Sequence, residues 1–127
     1  MPERVTGIGG VFFRARDPER LRAWYAEQLG LELRPFGGAV FSAEAGDITV
    51  WHVALPDDEY FGAPEQRVML NYRVGNLDAV LAKLRAAGVP TDERVEESAH
   101  GRFGWATDPE GNRFELWQPP EGGYPSD

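Results

Sequence analysis

ATDPEGNRFELWQPP, residues 106–120, reads as a turn, a strand and a stop. DPEG puts Pro109 second and Gly111 fourth in a tight turn, where each backbone preference suits the bend. From Arg113 to Gln118 the residues alternate, so Phe114 and Leu116 share one face while Arg113, Glu115 and Trp117 share the other. Two prolines then end the strand. Glu115 is the single acid of this strand, and it sits on the face opposite the apolar pair. A carboxylate there is tolerated only where that face is wet, paired or engaged with a ligand.

Working outward, the strand closes the second of two similar halves. In the first, GVFFRARDPERLRAWYAEQLGLEL reads strand, turn and helix. Val11, Phe13 and Ala15 alternate. Asp17 is an N-cap, Pro18 suits the first helical position and Glu19 the first turn. Leu21, Trp24, Tyr25 and Gln28/Leu29 mark one face, and Gly30 ends the helix. In the second half, MLNYRVGNLDAVLAKLRAAGV repeats this with Leu70, Tyr72 and Val74, a cap at Asn76, the stripe Leu77, Val80, Leu81 and Leu84, and a stop at Gly88. Gly10 and Met69, Arg14 and Arg73, and Asp17 and Asn76 are each 59 positions apart. Strand-like runs follow each helix: GAVFSAE and DITVWHV first, GRFGWAT and NRFELWQ second. A weaker run precedes each pair, around 31–35 and 90–95. Each half therefore reads βαβββ, and internal repetition constrains topology strongly. The expected boundaries are module 1 at about 7–56, a linker at 57–66, module 2 at about 67–120 and a tail at 121–127, together one domain over 1–127. Asp57, Asp58 and Glu59 read as a solvated acidic turn.

The 127 residues suffice for one domain with a core. Hydrophobic residues make up 42% and charged ones 27%, a globular composition. No apolar run approaches the roughly 18 residues of a membrane span. MPERVTG lacks the apolar centre of a signal peptide, so a cytoplasmic location is the expectation. There is no cysteine, which removes disulfides, thiolate metal sites and thiol nucleophiles. The net charge of −8 argues against nucleic acid and anionic membranes as partners. It favours cations at long range, although solubility alone also accounts for it. GIGG at residues 7–10 precedes a strand and is no phosphate loop.

Three segments, FFRARDPERLRAWYAEQLGLEL, RVGNLDAVLAKLRAAGV and GRFGWATDPEGNRFELWQP, together resemble the vicinal oxygen chelate superfamily of glyoxalases, bleomycin resistance proteins and extradiol dioxygenases. DPEGNRFELW is the most specific of them, and the likeness spans roughly residues 7–120. The resemblance implies an α+β fold: two tandem βαβββ modules forming a curled mixed sheet around a pocket, with helices on the outer face. Modules of this kind leave sheet edges and an apolar rim that a second chain can cover, so a homodimer is expected, with the pocket either within a chain or across the pair. Metal-dependent relatives place ligands at positions matching Gly10, Thr49, Met69 and Glu115. Only Glu115 is a competent ligand, because Gly lacks a side chain, Thr ligates poorly and Met suits soft metals. No cofactor is therefore expected, the alternative being a divalent metal at Glu115.

Two functions follow from this pattern. One is a metal-free protein that binds a small aromatic or amphipathic molecule, with Glu115 as anionic anchor. The other is a lyase, isomerase or dioxygenase using Glu115 as general base or metal ligand. His100, in SAHGRFGW, is the candidate catalytic partner of Glu115, or else an exposed loop histidine. His52 faces the helices by alternation and reads as structural. Phe12, Trp51, Met69 and Trp117 would form an aromatic floor, with Thr49 and Asn71 beside it, or else ordinary packing. Arg14 and Arg73, related by the repeat, would hold an anionic group, pair with Glu115, or form rim ion pairs.

Overall fold

A computed structural model describes residues 11–57 and 59–125. Helix α1 spans Pro18–Leu29, and Asp17 caps it by accepting a hydrogen bond from Arg20 N at 3.2 Å. Gly30 ends it in the left-handed conformation at φ 70°, where its N–H reaches Ala26 O at 3.1 Å. Helix α2 spans Leu77–Ala86, capped by Asn76 Oδ1, which accepts from Ala79 N at 3.0 Å. A 3-10 turn, Glu59–Phe61, lies between them in sequence. The strands are β1 (Asn71–Arg73), β2 (Glu96–Ser98), β3 (Gly101–Thr107) and β4 (Arg113–Gln118).

The sheet order is β1-β4-β3-β2, with β1 parallel to β4 and the other pairs antiparallel. The hairpin β3–β4 sets Trp105 opposite Glu115 and Phe103 opposite Trp117. Both helices cover one sheet face. Leu77, Leu81 and Leu84 of α2 are buried against Ala106, Phe114 and Leu116. From α1, Trp24 and Tyr25 place their rings 6.1 Å from Phe114, edge-on and tilted respectively. Asp108, 4% exposed, ties the 108–111 turn to α1 by accepting from Tyr25 Oη at 2.9 Å. Glu110 accepts from Arg16 N at 2.7 Å and Asp17 N at 2.8 Å, joining the same turn to the start of α1.

The expectation of two tandem βαβββ modules closing a curled sheet around a pocket is corrected here. The second half does run strand, helix and three strands, but in the first half, among the described residues, the regular element is α1. Among the described residues the sheet has four strands and is open. The run at 90–95 contributes an isolated bridge, Thr91 to Ala106, in place of a strand. Alternation says which side chains share a face. A strand exists only once its N–H and C=O groups pair with a neighbour. In the first half, runs 38–44 and 47–53 gain neither ladder nor burial: Phe41 is 73% exposed and Trp51 76%. No helix among the described residues is long and apolar enough to cross a membrane.

Candidate functional site

The sheet face turned away from the helices carries Asn71 and Arg73 from β1, Arg113, Glu115 and Trp117 from β4, and Phe103 and Trp105 from β3. Parallel and antiparallel registers converge on Glu115, which lies beside Asn71 on one side and Trp105 on the other. Both carboxylate oxygens accept a neutral donor. Oε1 takes Asn71 Nδ2 at 2.6 Å and Oε2 takes Trp105 Nε1 at 3.1 Å. Burial raises the Glu115 carboxyl above its ordinary range, the hydrogen bonds from Asn71 and Trp105 oppose this, Glu96 adds to the rise and Arg113 counters it.

Two ring stacks flank the carboxylate. Tyr60, from the 3-10 turn, lies parallel to Trp105 with centroids 5.4 Å apart and a 5° interplanar angle. Arg94 sits over both rings, 5.3 Å from that of Tyr60 and 5.0 Å from that of Trp105. At the other end Phe103 stacks on Trp117 at 6.1 Å, and Tyr124 meets Trp117 edge-on at 5.8 Å. The Trp117 indole donates to His100 O at 2.8 Å.

That last bond depends on Gly101. Its φ is 119°, and a Cβ there would press on the Gln118 carbonyl oxygen and stand 2.9 Å from Trp117 Nε1. Gly101→Ala should cost about 2 kcal/mol through strain at this backbone conformation. It should also shift the Trp117 indole N–H resonance, checked by urea unfolding and by nitrogen–proton correlation spectra. An unmoved Trp117 signal would show that the indole is held by other contacts.

The sequence-derived candidates divide into two groups. Asn71, Glu115 and Trp117 meet on this face. Arg73 lies on it too, but its guanidinium is engaged with Asp47 at 3.4 Å and Ile48 O at 2.9 Å. His100 is not brought to Glu115: its ring packs on Tyr124 at 5.1 Å, and Arg102, two residues on, is in register with Gln118 at the far end of β4. Phe12 is 96% exposed, and Arg14, Thr49, Trp51 and His52 are also at the surface, while Met69 is half-buried. His52 therefore does not face a helix layer. Of the four family ligand positions, Gly10 lies outside the described residues. Among the described residues no group of three or more His, Asp or Glu side chains gathers. A lone carboxylate already satisfied by an amide and an indole does not fit a divalent metal centre.

Trp105, Tyr60 and Arg94 escaped the sequence reading. The signal for Trp105 was present, because counting back across the tight turn sets it opposite Glu115. Tyr60 lies in the 3-10 turn and Arg94 in the weak run 90–95, and neither segment signals a place beside Trp105.

The glyoxalase-like domain model matches residues 10–117, most of the chain. The chain belongs to the glyoxalase-like domain family. It is thereby a member of the vicinal oxygen chelate superfamily, which groups glyoxalases with bleomycin resistance proteins and dioxygenases. Among curated proteins none matches this glyoxalase-like chain. Solved structures similar to it include TnmS3, an antibiotic binding protein from a Streptomyces species, at TM-score 0.51 and 23% identity over 82% of this chain and 88% of that one. A lactoylglutathione lyase from Agrobacterium tumefaciens aligns at TM-score 0.55 and 16% identity, over 91% of this chain and 96% of the other. A protein of unknown function from Agrobacterium tumefaciens aligns at 0.53 and 24%, over 87% and 96%. At these identities the likeness concerns the fold. The same fold thus occurs in a binding protein and in an enzyme, so the fold alone assigns neither role.

Proposed function

We propose that this glyoxalase-like protein binds a small aromatic or amphipathic molecule without a metal, on the sheet face that carries Glu115. The observation that carries this reading is the carboxylate set between two ring stacks, Tyr60–Trp105 and Phe103–Trp117. Aromatic rings beside one acid suit a planar ring bearing a basic group. The antibiotic binding activity named for the Streptomyces relative is in keeping with this. Titrating a planar aromatic cation such as acridine orange by calorimetry tests it. Glu115→Gln should weaken binding about tenfold or more, the loss of one charge-assisted contact. Equal affinity in the two proteins would remove Glu115 as the anchor.

The raised carboxyl supports a second reading, a general base in a lyase or isomerase, since such groups work best with an elevated proton affinity. Under that reading Glu115→Gln abolishes turnover and leaves ligand affinity within a few-fold.

We also propose that the working form is a homodimer. Val40, Phe41, Val50, Trp51, Val53 and Leu55 are all more than half exposed, a density of apolar surface that a second copy would cover. Light scattering should return twice the 14.1 kDa chain mass. A mass of one chain at micromolar concentration would rule the pairing out.

A further inference from the structure

We infer that Tyr60 is a displaceable cover that occupies, on Trp105, the place of a hydroxyaromatic ligand. The inference rests on the reading of this sheet face as a small-molecule site, and it adds where the ligand ring lies and what it must carry.

Tyr60 is held as a ligand would be held. Its ring is parallel to the Trp105 indole, Arg94 covers the pair, and its hydroxyl donates to the Glu96 carboxylate, 2.7 and 2.9 Å from the two oxygens. Trp105 is 1% exposed beneath this cover, although it belongs to the sheet face opposite the helices. Its indole N–H is meanwhile committed to Glu115. The place therefore selects a flat ring with a hydroxyl at its edge: the ring stacks on Trp105 and the hydroxyl donates to Glu96.

The linker is attached to β4 independently of the Tyr60 ring. Gln66 donates to Arg113 O at 2.7 Å and accepts from Arg113 N at 2.9 Å, mimicking a strand partner. Arg113 Nε donates to Tyr60 O at 2.6 Å. Gly62, at φ 79°, lets the chain lie against the Arg113 side chain, where a Cβ would stand 2.9 Å from Cδ. The ring can therefore swing off Trp105 while these backbone anchors stay in place. A competing internal occupant lowers the apparent affinity of an external one by the fraction of time it is seated.

The test uses 2-naphthol as probe on the full chain, followed through the assigned Trp105 indole N–H resonance. Tyr60→Ala should bind it about tenfold more tightly than the unsubstituted protein, the amount by which a seated ring masks the site. Tyr60→Phe, which keeps the stack and loses the hydroxyl contact, should fall between them. It also serves if the alanine variant folds poorly. Equal affinity in all three proteins, with the Trp105 signal moving, overturns the cover but leaves the face as a binding site. No movement of Trp105 in any of them overturns the cover and removes hydroxyaromatics from this face. Titration with acridine orange then tells separately whether Glu115 still anchors a cation.

Discussion

Asp108→Ala should destabilise the protein by about 3 kcal/mol, because one buried carboxylate organises both a turn and a helix contact. Its Oδ1 accepts from Glu110 N at 2.9 Å and Asn112 N at 3.0 Å, and its Oδ2 from Tyr25 Oη at 2.9 Å and Asn112 Nδ2 at 2.9 Å. Removing it takes away the carboxylate acceptor that the Tyr25 hydroxyl uses at the α1 interface. Burial holds that phenol far above its ordinary range, with Tyr72 and Asp108 adding to the rise. Against a typical stability of about 5–15 kcal/mol this is a large fraction, and the midpoint of thermal unfolding should fall by roughly 10 °C. Asp108→Asn keeps one acceptor oxygen and should recover a good part of the loss. Thermal unfolding of the two variants checks this, and an alanine variant within a degree of the parent would show that water takes over the acceptor role.

Glu115→Gln should leave stability intact at low pH and raise it relative to the parent as pH climbs toward neutrality. The direction follows from the carboxyl, whose folded proton affinity is above that of the unfolded chain. Such a group favours the folded state while protonated, and the contribution is lost as pH rises through the elevated folded value. Glutamine copies the protonated acid and cannot ionise. Its oxygen can accept from Trp105, and its amide can donate to Asn71 once that side chain turns over. Urea unfolding at a series of pH values reads the divergence. A variant less stable than the parent at neutral pH would mean that the ionised carboxylate is itself a structural element. The same carboxyl makes cation binding pH-linked. A bound cation favours the ionised form, so affinity should increase with pH until Glu115 is ionised in the free protein. The charged groups facing it, Glu96 and Arg113, act in opposite directions on that midpoint.

What the sequence discloses about this protein depends on how far each contact reaches. The caps at Asp17 and Asn76 bond to amides three residues away, so the helices are legible from composition and spacing alone. The β3–β4 hairpin is legible because its tight turn fixes the register. With it comes the orientation of Phe114 and Leu116 toward the helices and of Glu115 away from them. The first-half strands fail for the opposite reason. Their alternation is local, while pairing is a property of two distant segments. Tyr60 reaches its place through contacts with Trp105, Glu96 and Arg113, the last 53 residues away, and nothing in EYFG signals that destination. The repeat carried Arg14, Thr49 and Trp51 into the candidate site by analogy with the second half, and the structure leaves them on the surface.

The parallel pairing of β1 with β4 has a kinetic consequence. Trp105 is 10 residues from Glu115, whereas Asn71 is 44 away. The indole side of the carboxylate can therefore assemble with the hairpin, on the microsecond scale of local β-structure. The amide side must wait until α2 has crossed over and the long loop has closed, a slower event governed by chain entropy. We therefore expect folding to seat the indole-bound oxygen of Glu115 before the amide-bound one.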